Sequence, residues 1–172
     1  MTSLTYDEFN ALFTSFKREA PHLEMRDSYG TEVELPHLRK WLAGEPDDTD
    51  WLEPWFETVR AGTAAGKRFR RARIVSEPVS DYQRWVLKDT HLYGEAGEDI
   101  RWVPRRLVST VALPGNDFWL FDDELVVFIL FAGNGLVVDN QTTTDPATIQ
   151  LCRSSFEAVW KLSIPNREYR PD

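Results

Sequence analysis

The residues best suited to chemistry crowd into positions 67–82, KRFRRARIVSEPVSDY, where Lys67, Arg68, Arg70, Arg71 and Arg73 put five cations into seven positions. Clustered cations of this kind contact phosphate, hold another anion, or edge a fold. Read as a strand, Lys67, Phe69, Arg71 and Arg73 share one face, and Arg68, Arg70, Ala72 and Ile74 the other. The cations thin toward Ile74 and Val75, as expected of a strand that leaves solvent and enters a sheet. Next, SEPVS is a turn into a helix whose N-cap is Ser80, and a strand-to-helix turn with free amides suits an anion. Arg73, Ser76, Ser80 and Arg84 could converge there, with Glu77 and Tyr82 as neighbouring candidates. The structural alternative is that Arg73 pairs with Glu77 or another local acid and Ser80 only caps.

Carboxylates form the second constellation: Asp117, Asp122, Asp123 and Glu124, with Trp119 among them. Paired acids can hold Mg²⁺ or exchange protons. Asp122 and Asp123 also fall where a hairpin would turn, and turns select Asp for local reasons. His22, His37 and His91 make no H-x-x-x-H pair and no C-x-x-C accompanies them, so no metal is expected. No cofactor is expected either: AGTAAGKR lacks the full phosphate-loop pattern, and AGNGLVV has no third glycine and no following helix. Cys152, the single cysteine, lies on an apolar helix stripe and reads as a buried thiol.

The elements that position these residues follow from periodicity. Thr5 and Glu8 form a capping box, with Phe9, Leu12, Phe13 and Phe16 at helical spacing behind it, predicting a helix over 6–19. HLEMR allows a short strand. Pro36 opens a second helix that Gly44 closes. GEPDDTD is an acidic loop, and WLEPWFETVRAGTAAG is helical around Trp55, Phe56 and Val59. From 67 onward the pattern reads β-α-β-β-β-β-α: FRRARIVS, a helix from Ser80, DIRWVP, the DFWLF/ELVVFILF hairpin, LVVD, and a helix opened by Pro146. The expected class is α/β or α+β, a mixed central sheet with flanking helices. Residues 1–66 form a mostly helical region and 67–172 the α/β part.

Composition sets the outer limits. Net charge is −8 with 42% hydrophobic residues, which supports a packed core and disfavours general nucleic-acid binding. With one cysteine there is no internal disulfide, which fits a reducing compartment. MTSLTYDEFNALF does not read as a signal peptide, and LVVFILFAG is about half the length of a membrane span. A cytoplasmic protein without membrane contact is expected. The acidic segment 45–57 could meet a basic partner or simply be solvated.

Four stretches carry a resemblance: RARIVSEPVSDYQRW, AGEDIRWVPRR, DFWLFDDELVVF and FEAVWKLSIPNREY. They resemble an actinobacterial, streptomycete-type family of unknown function with an RVVSEPxSDY / AGEDIRWxPR / DFWLFDD pattern. That resemblance implies a regulatory accessory protein, whose partner is a helix-turn-helix regulator or a small neighbour-encoded protein. A second likeness, in order of elements, is to the phospholipase D-like fold, whose motif is H-x-K-x-x-x-x-D. With its Asp on Asp122, the His and Lys positions hold Gly115 and Asp117; with its Asp on Asp123, they hold Asn116 and Phe118. Neither register supplies a nucleophile, so that likeness implies a fold without its catalytic motif, and it suggests a homodimer. The expected function is therefore a non-enzymatic regulatory or interaction module, with a small ligand as one possible signal. A diverged phosphodiesterase and a DNA binder acting through 67–73 stand as alternatives.

Overall fold

A computed structural model describes residues 1–171. Among them, eight strands form one mixed sheet in the order β1-β7-β6-β5-β2-β3-β4-β8. The strands are β1 (Thr2–Ser3), β2 (Glu19–Glu24), β3 (Arg68–Val75), β4 (Glu98–Pro104), β5 (Asp117–Phe121), β6 (Leu125–Phe131), β7 (Val137–Thr143) and β8 (Ile164–Pro165). The helices are α1 (Tyr6–Ser15), α2 (Leu35–Ala43), α3 (Glu53–Ala64), α4 (Asp81–Ala96) and α5 (Pro146–Leu162). The β-α-β-β-β-β-α order expected after residue 67 is found, followed by a short strand, β8, that pairs antiparallel with β4. The chain is α+β, as its periodicity predicts.

Local signals place the elements. Thr5 and Glu8 complete their reciprocal capping box, and Ser80 and Asp145 cap α4 and α5 with their side chains. Gly44 closes α2 at φ 69°. Helix α1 stops at Ser15, earlier than the apolar spacing suggests, because Phe16 is already extended and leads into β2. Strand β2 lies at the centre of the sheet, parallel to β3 and antiparallel to β5. The N-terminal 66 residues thus supply a central strand as well as helices.

The two faces of the sheet differ. Helix α5 covers Leu23, Ala72, Ile74, Val103, Phe118, Leu120 and Val126 with Cys152, Phe156 and Val159, an all-apolar layer. Helices α1, α3 and α4 cover the opposite face. There Phe13, Phe16, Phe56, Phe69, Trp119 and Phe121 form an aromatic layer, and charged residues share that face with them. No helix among the described residues is long and apolar enough to cross a membrane.

The β5–β6 hairpin turns through Asp122, Asp123 and Glu124 between the paired Phe121 and Leu125, with Asp122 and Asp123 left-handed at φ 56° and 62°, as tight hairpin turns require. Asp tolerates it because its short polar side chain bonds locally. Asp122 also takes the amide N–H groups of Lys17, Arg18 and Glu19 at 2.6, 2.7 and 3.0 Å, holding the α1–β2 corner against the turn. Burial pushes its carboxyl up, but these three bonds outweigh burial and hold it below the ordinary carboxylate range. Asp122→Ala leaves three donors without their acceptor and should lower unfolding stability by about 3 kcal/mol in urea titration. Asp122→Asn, which keeps one acceptor, should lose less; equal losses would mean that the amide bonds are not what Asp122 contributes.

Candidate functional site

Strand register lines up the charged residues on the helix-covered face. His22 pairs with Arg71 and Glu24 with Arg73 across β2–β3, and Arg73 pairs with Trp102 across β3–β4. Trp119 of β5 stands beside His22. The result is a buried ionic layer roofed by Trp55, Tyr82, Trp85 and Tyr93.

Glu24 is the hinge of this layer. Its Oε1 accepts from Arg71 Nη1 at 2.7 Å, and its Oε2 lies 2.9 Å from Arg73 Nε. Arg71 Nε donates to Glu98 Oε1 at 2.6 Å, and Trp55 Nε1 donates to Glu98 Oε2 at 2.8 Å. His22 stacks on Trp119 at 4.2 Å and 2°. Its Nδ1 lies 2.8 Å from the Phe118 carbonyl, and that contact requires the proton on Nδ1. Burial opposes ionisation of Glu24, but Arg73, then Arg71, outweigh it and hold its carboxyl far below the ordinary range. For Arg71, too, burial disfavours the charge; Glu98 and Glu24 more than compensate and raise its pKa. Asp117 goes the other way: burial raises its carboxyl despite the bond from the Tyr29 hydroxyl and the Met25 amide. Burial also lifts Tyr93 to about 12.

Arg73 is the exception in an otherwise satisfied layer. It is 4% exposed and lies over the Trp102 ring at 5.4 Å. Its Nε meets Glu24 at ion-pair distance without hydrogen-bond alignment, and no described residue accepts from its Nη1 or Nη2. Arg73 lines a narrow cleft between α4 and the Asp50–Leu52 turn of 3-10 helix, walled by Trp51, Trp85 and Tyr93 and edged by Glu34 and Asp89.

The convergence expected of Arg73, Ser76, Ser80 and Arg84 does not form. Arg73 points into the ionic layer. Ser76 donates to Asp27 Oδ2, and Ser80 donates to the Asp27 carbonyl while capping Gln83. Arg84 sits on the outer side of α4, paired with Asp81. Glu77 accepts from Arg106 and from the Tyr169 hydroxyl. Tyr82 donates to Glu34 and borders the layer. Asp117 and Trp119 join the layer through β5. Asp122 and Asp123 lie at the hairpin end, Asp123 against Arg153. Among the described residues, no group of three or more His, Cys, Asp or Glu is placed to hold a metal ion. Burial raises the Cys152 thiol to about 12.

The basic run is absorbed by the fold. Arg70 lies between Glu19 and Glu157, above Phe156 and Trp160. Lys67 donates to the Thr14 carbonyl over the Phe16 ring, and Arg68, exposed, reaches Glu19 at 3.2 Å. Sequence reasoning missed Glu24, Glu98, Glu34, Trp51, Trp85 and Tyr93 as site residues. One signal was present: Glu24 and Glu98 adjoin strand-like apolar stretches, and buried acids there need buried cations.

A second concavity runs between α3 and α4. It is a groove of about 760 Å³ with Phe56, Leu92 and Ala96 on its floor and Asp50, Glu53 and Glu95 on its walls. Arg60 pairs with Glu53 there.

The family model "Domain of unknown function (DUF6879)" matches residues 7–171. No curated protein matches the sequence. Among solved structures, that of TrmBL2, an archaeal chromatin protein whose structure shows a novel mode of DNA binding, is similar at 11% identity with a TM-score of 0.49. The match covers 91% of this chain and 49% of that one, so this chain spans about half of TrmBL2's length.

The ionic layer fixes a pH response. Glu24 titrates lower folded than unfolded, so its contribution is complete above the unfolded value of about 4.3 and is lost as pH falls below it. Glu24→Gln should cost about 3–5 kcal/mol at pH 7, because Arg71 and Arg73 lose their shared charge. In urea titrations the gap between Glu24→Gln and the unmodified protein should narrow as pH drops below the ordinary carboxylate range. A constant gap would mean that the Glu24 charge is not the source of the difference.

Proposed function

The chain belongs to the DUF6879 family, a domain of unknown function, and on that premise we propose a non-enzymatic regulatory module that acts by holding a partner protein. The observation that carries this reading is the α3–α4 groove. Its floor is apolar, its walls bear Asp50, Glu95 and Glu53, the last paired with Arg60, and the whole chain carries a net charge of −8. A basic amphipathic helix fits such a groove, its apolar stripe on Phe56 and Leu92 and its cations against the walls. A helix-turn-helix regulator or a small neighbour-encoded protein can offer a segment of that kind.

The state of the titratable groups supports a binding role. Asp122 is committed to three amides, Asp117 to Tyr29 and Met25, and His22 to Phe118 and the Trp119 ring. A second copy of the chain is the alternative occupant of the groove.

The test is affinity capture from the source organism, followed by titration of the purified partner against the protein and against Asp50→Lys/Glu95→Lys. Both side chains are exposed, so the variant should unfold at the same urea midpoint. A partner with a basic segment should bind the variant about tenfold or more weakly, and less tightly as salt rises. Equal affinity for both forms would move the interface off this groove. Self-association lost in the variant would make the occupant a second copy, and absence of any partner would overturn the reading.

A further inference from the structure

We propose that Arg60 is an internal competitor in the α3–α4 groove: it holds Glu53 until a cation of the bound helix displaces it, so the Arg60–Glu53 pair regulates what the groove accepts. This inference rests on the groove being the binding surface.

The first observation is where the pair lies. Glu53, Phe56 and Arg60 follow at i, i+3 and i+7 on α3, one stripe of the helix, and all three line the groove. Seven residues of helix rise about 10.5 Å. The ion pair between Arg60 and Glu53 therefore requires both side chains to run along α3, past the turn that carries Phe56.

The second observation is the choice of partner. Glu57 stands three residues before Arg60, an ordinary spacing for a helix ion pair, and it is exposed. Arg60 nevertheless pairs with Glu53, and Glu53 lines the groove whereas Glu57 does not. The guanidinium is thus turned along the groove instead of outward.

The third observation is charge. Among the described residues Arg60 is the only cation lining the groove, against Asp50, Glu53 and Glu95. It occupies the place at Glu53 that a lysine or arginine of a basic helix would take. The side chains of Arg60 and Glu53 are 48% and 53% exposed, and an ion pair so open to water is held weakly. A polycation without an apolar stripe only exchanges one ion pair for another at Glu53 and gains little there. An amphipathic helix makes the same exchange and also buries its stripe on Phe56 and Leu92. The pair therefore disfavours ligands that bring charge alone.

The test uses the full chain and a labelled synthetic helix of leucine and lysine, about 14 residues long, followed by fluorescence anisotropy at low salt. Glu53 and Arg60 are exposed, so Glu53→Gln, Arg60→Gln and the double variant should keep the urea midpoint of the unmodified protein. Arg60→Gln should tighten the peptide about three- to tenfold, because Glu53 is released to it. Glu53→Gln should weaken binding less than about twofold in the unmodified protein and about fivefold or more in the Arg60→Gln background, a coupling that independent charges do not produce. Arg167→Gln, which removes an exposed cation outside the groove, should leave the affinity unchanged. Equal costs of Glu53→Gln in the two backgrounds overturn the proposal. So does Arg60→Gln without tightening, or Arg167→Gln tightening as much. A peptide that binds Asp50→Lys/Glu95→Lys as well as the unmodified protein, or binds neither, overturns the groove reading and this inference with it.

Discussion

The fold depends on Glu24 answering two arginines at once. Strand β3 brings Arg71 and Arg73 onto a face that three helices seal from water, and an isolated buried cation is not tolerated there. Glu24 comes from the neighbouring strand, one oxygen to each arginine, and Glu98 completes Arg71 from the other side. Everything that closes this face is arranged around that exchange. Trp55 donates to Glu98, Trp119 and His22 stack along its edge, and Arg73 lies on Trp102. The aromatic richness of the chain has its use here: ring faces and indole N–H groups can border charge without leaving polar atoms orphaned.

This arrangement separates two kinds of stability. The α5 face is held chiefly by area, Leu23, Ile74, Phe118 and their neighbours against Phe156 and Val159, with Arg70 and Arg153 paired to Glu19 and Glu157 beside that layer. The opposite face adds directional partners, each needing the others in place. Buried ion pairs contribute little net energy compared with a well-packed apolar layer, but losing one member costs much. The first face therefore tolerates substitutions of similar volume, whereas the second demands particular residues.

Much of the fold was legible in the chain. The capping residues Thr5, Ser80 and Asp145, the helix-closing Gly44 and the Asp122–Asp123 turn act within a few residues of themselves, and each fulfilled its local signal. The two faces of β3 were also readable, because alternation needs no partner. The site was not readable, for a physical reason. Arg73 and Glu24 are 49 positions apart, and only the parallel pairing of β2 with β3 makes them neighbours. The expected meeting of Arg73, Ser76, Ser80 and Arg84 assumed that closeness in sequence becomes closeness in space. Instead Asp27, from the loop after β2, takes both serines, and the two arginines leave in opposite directions.

The alternation of arginine with small and apolar residues in β3 also disciplines assembly. A slip of one residue against β2 would turn Arg71 and Arg73 toward α5, at the height of Leu23 and Phe118, and carry Ala72 and Ile74 under the aromatic roof. Among the described residues, the acids on the α5 face are committed elsewhere: Glu19 and Glu157 hold Arg70, and Asp99 holds Arg101. The arginines thus act as a key cut for one alignment, rejecting the near-miss pairings that an all-apolar strand would accept.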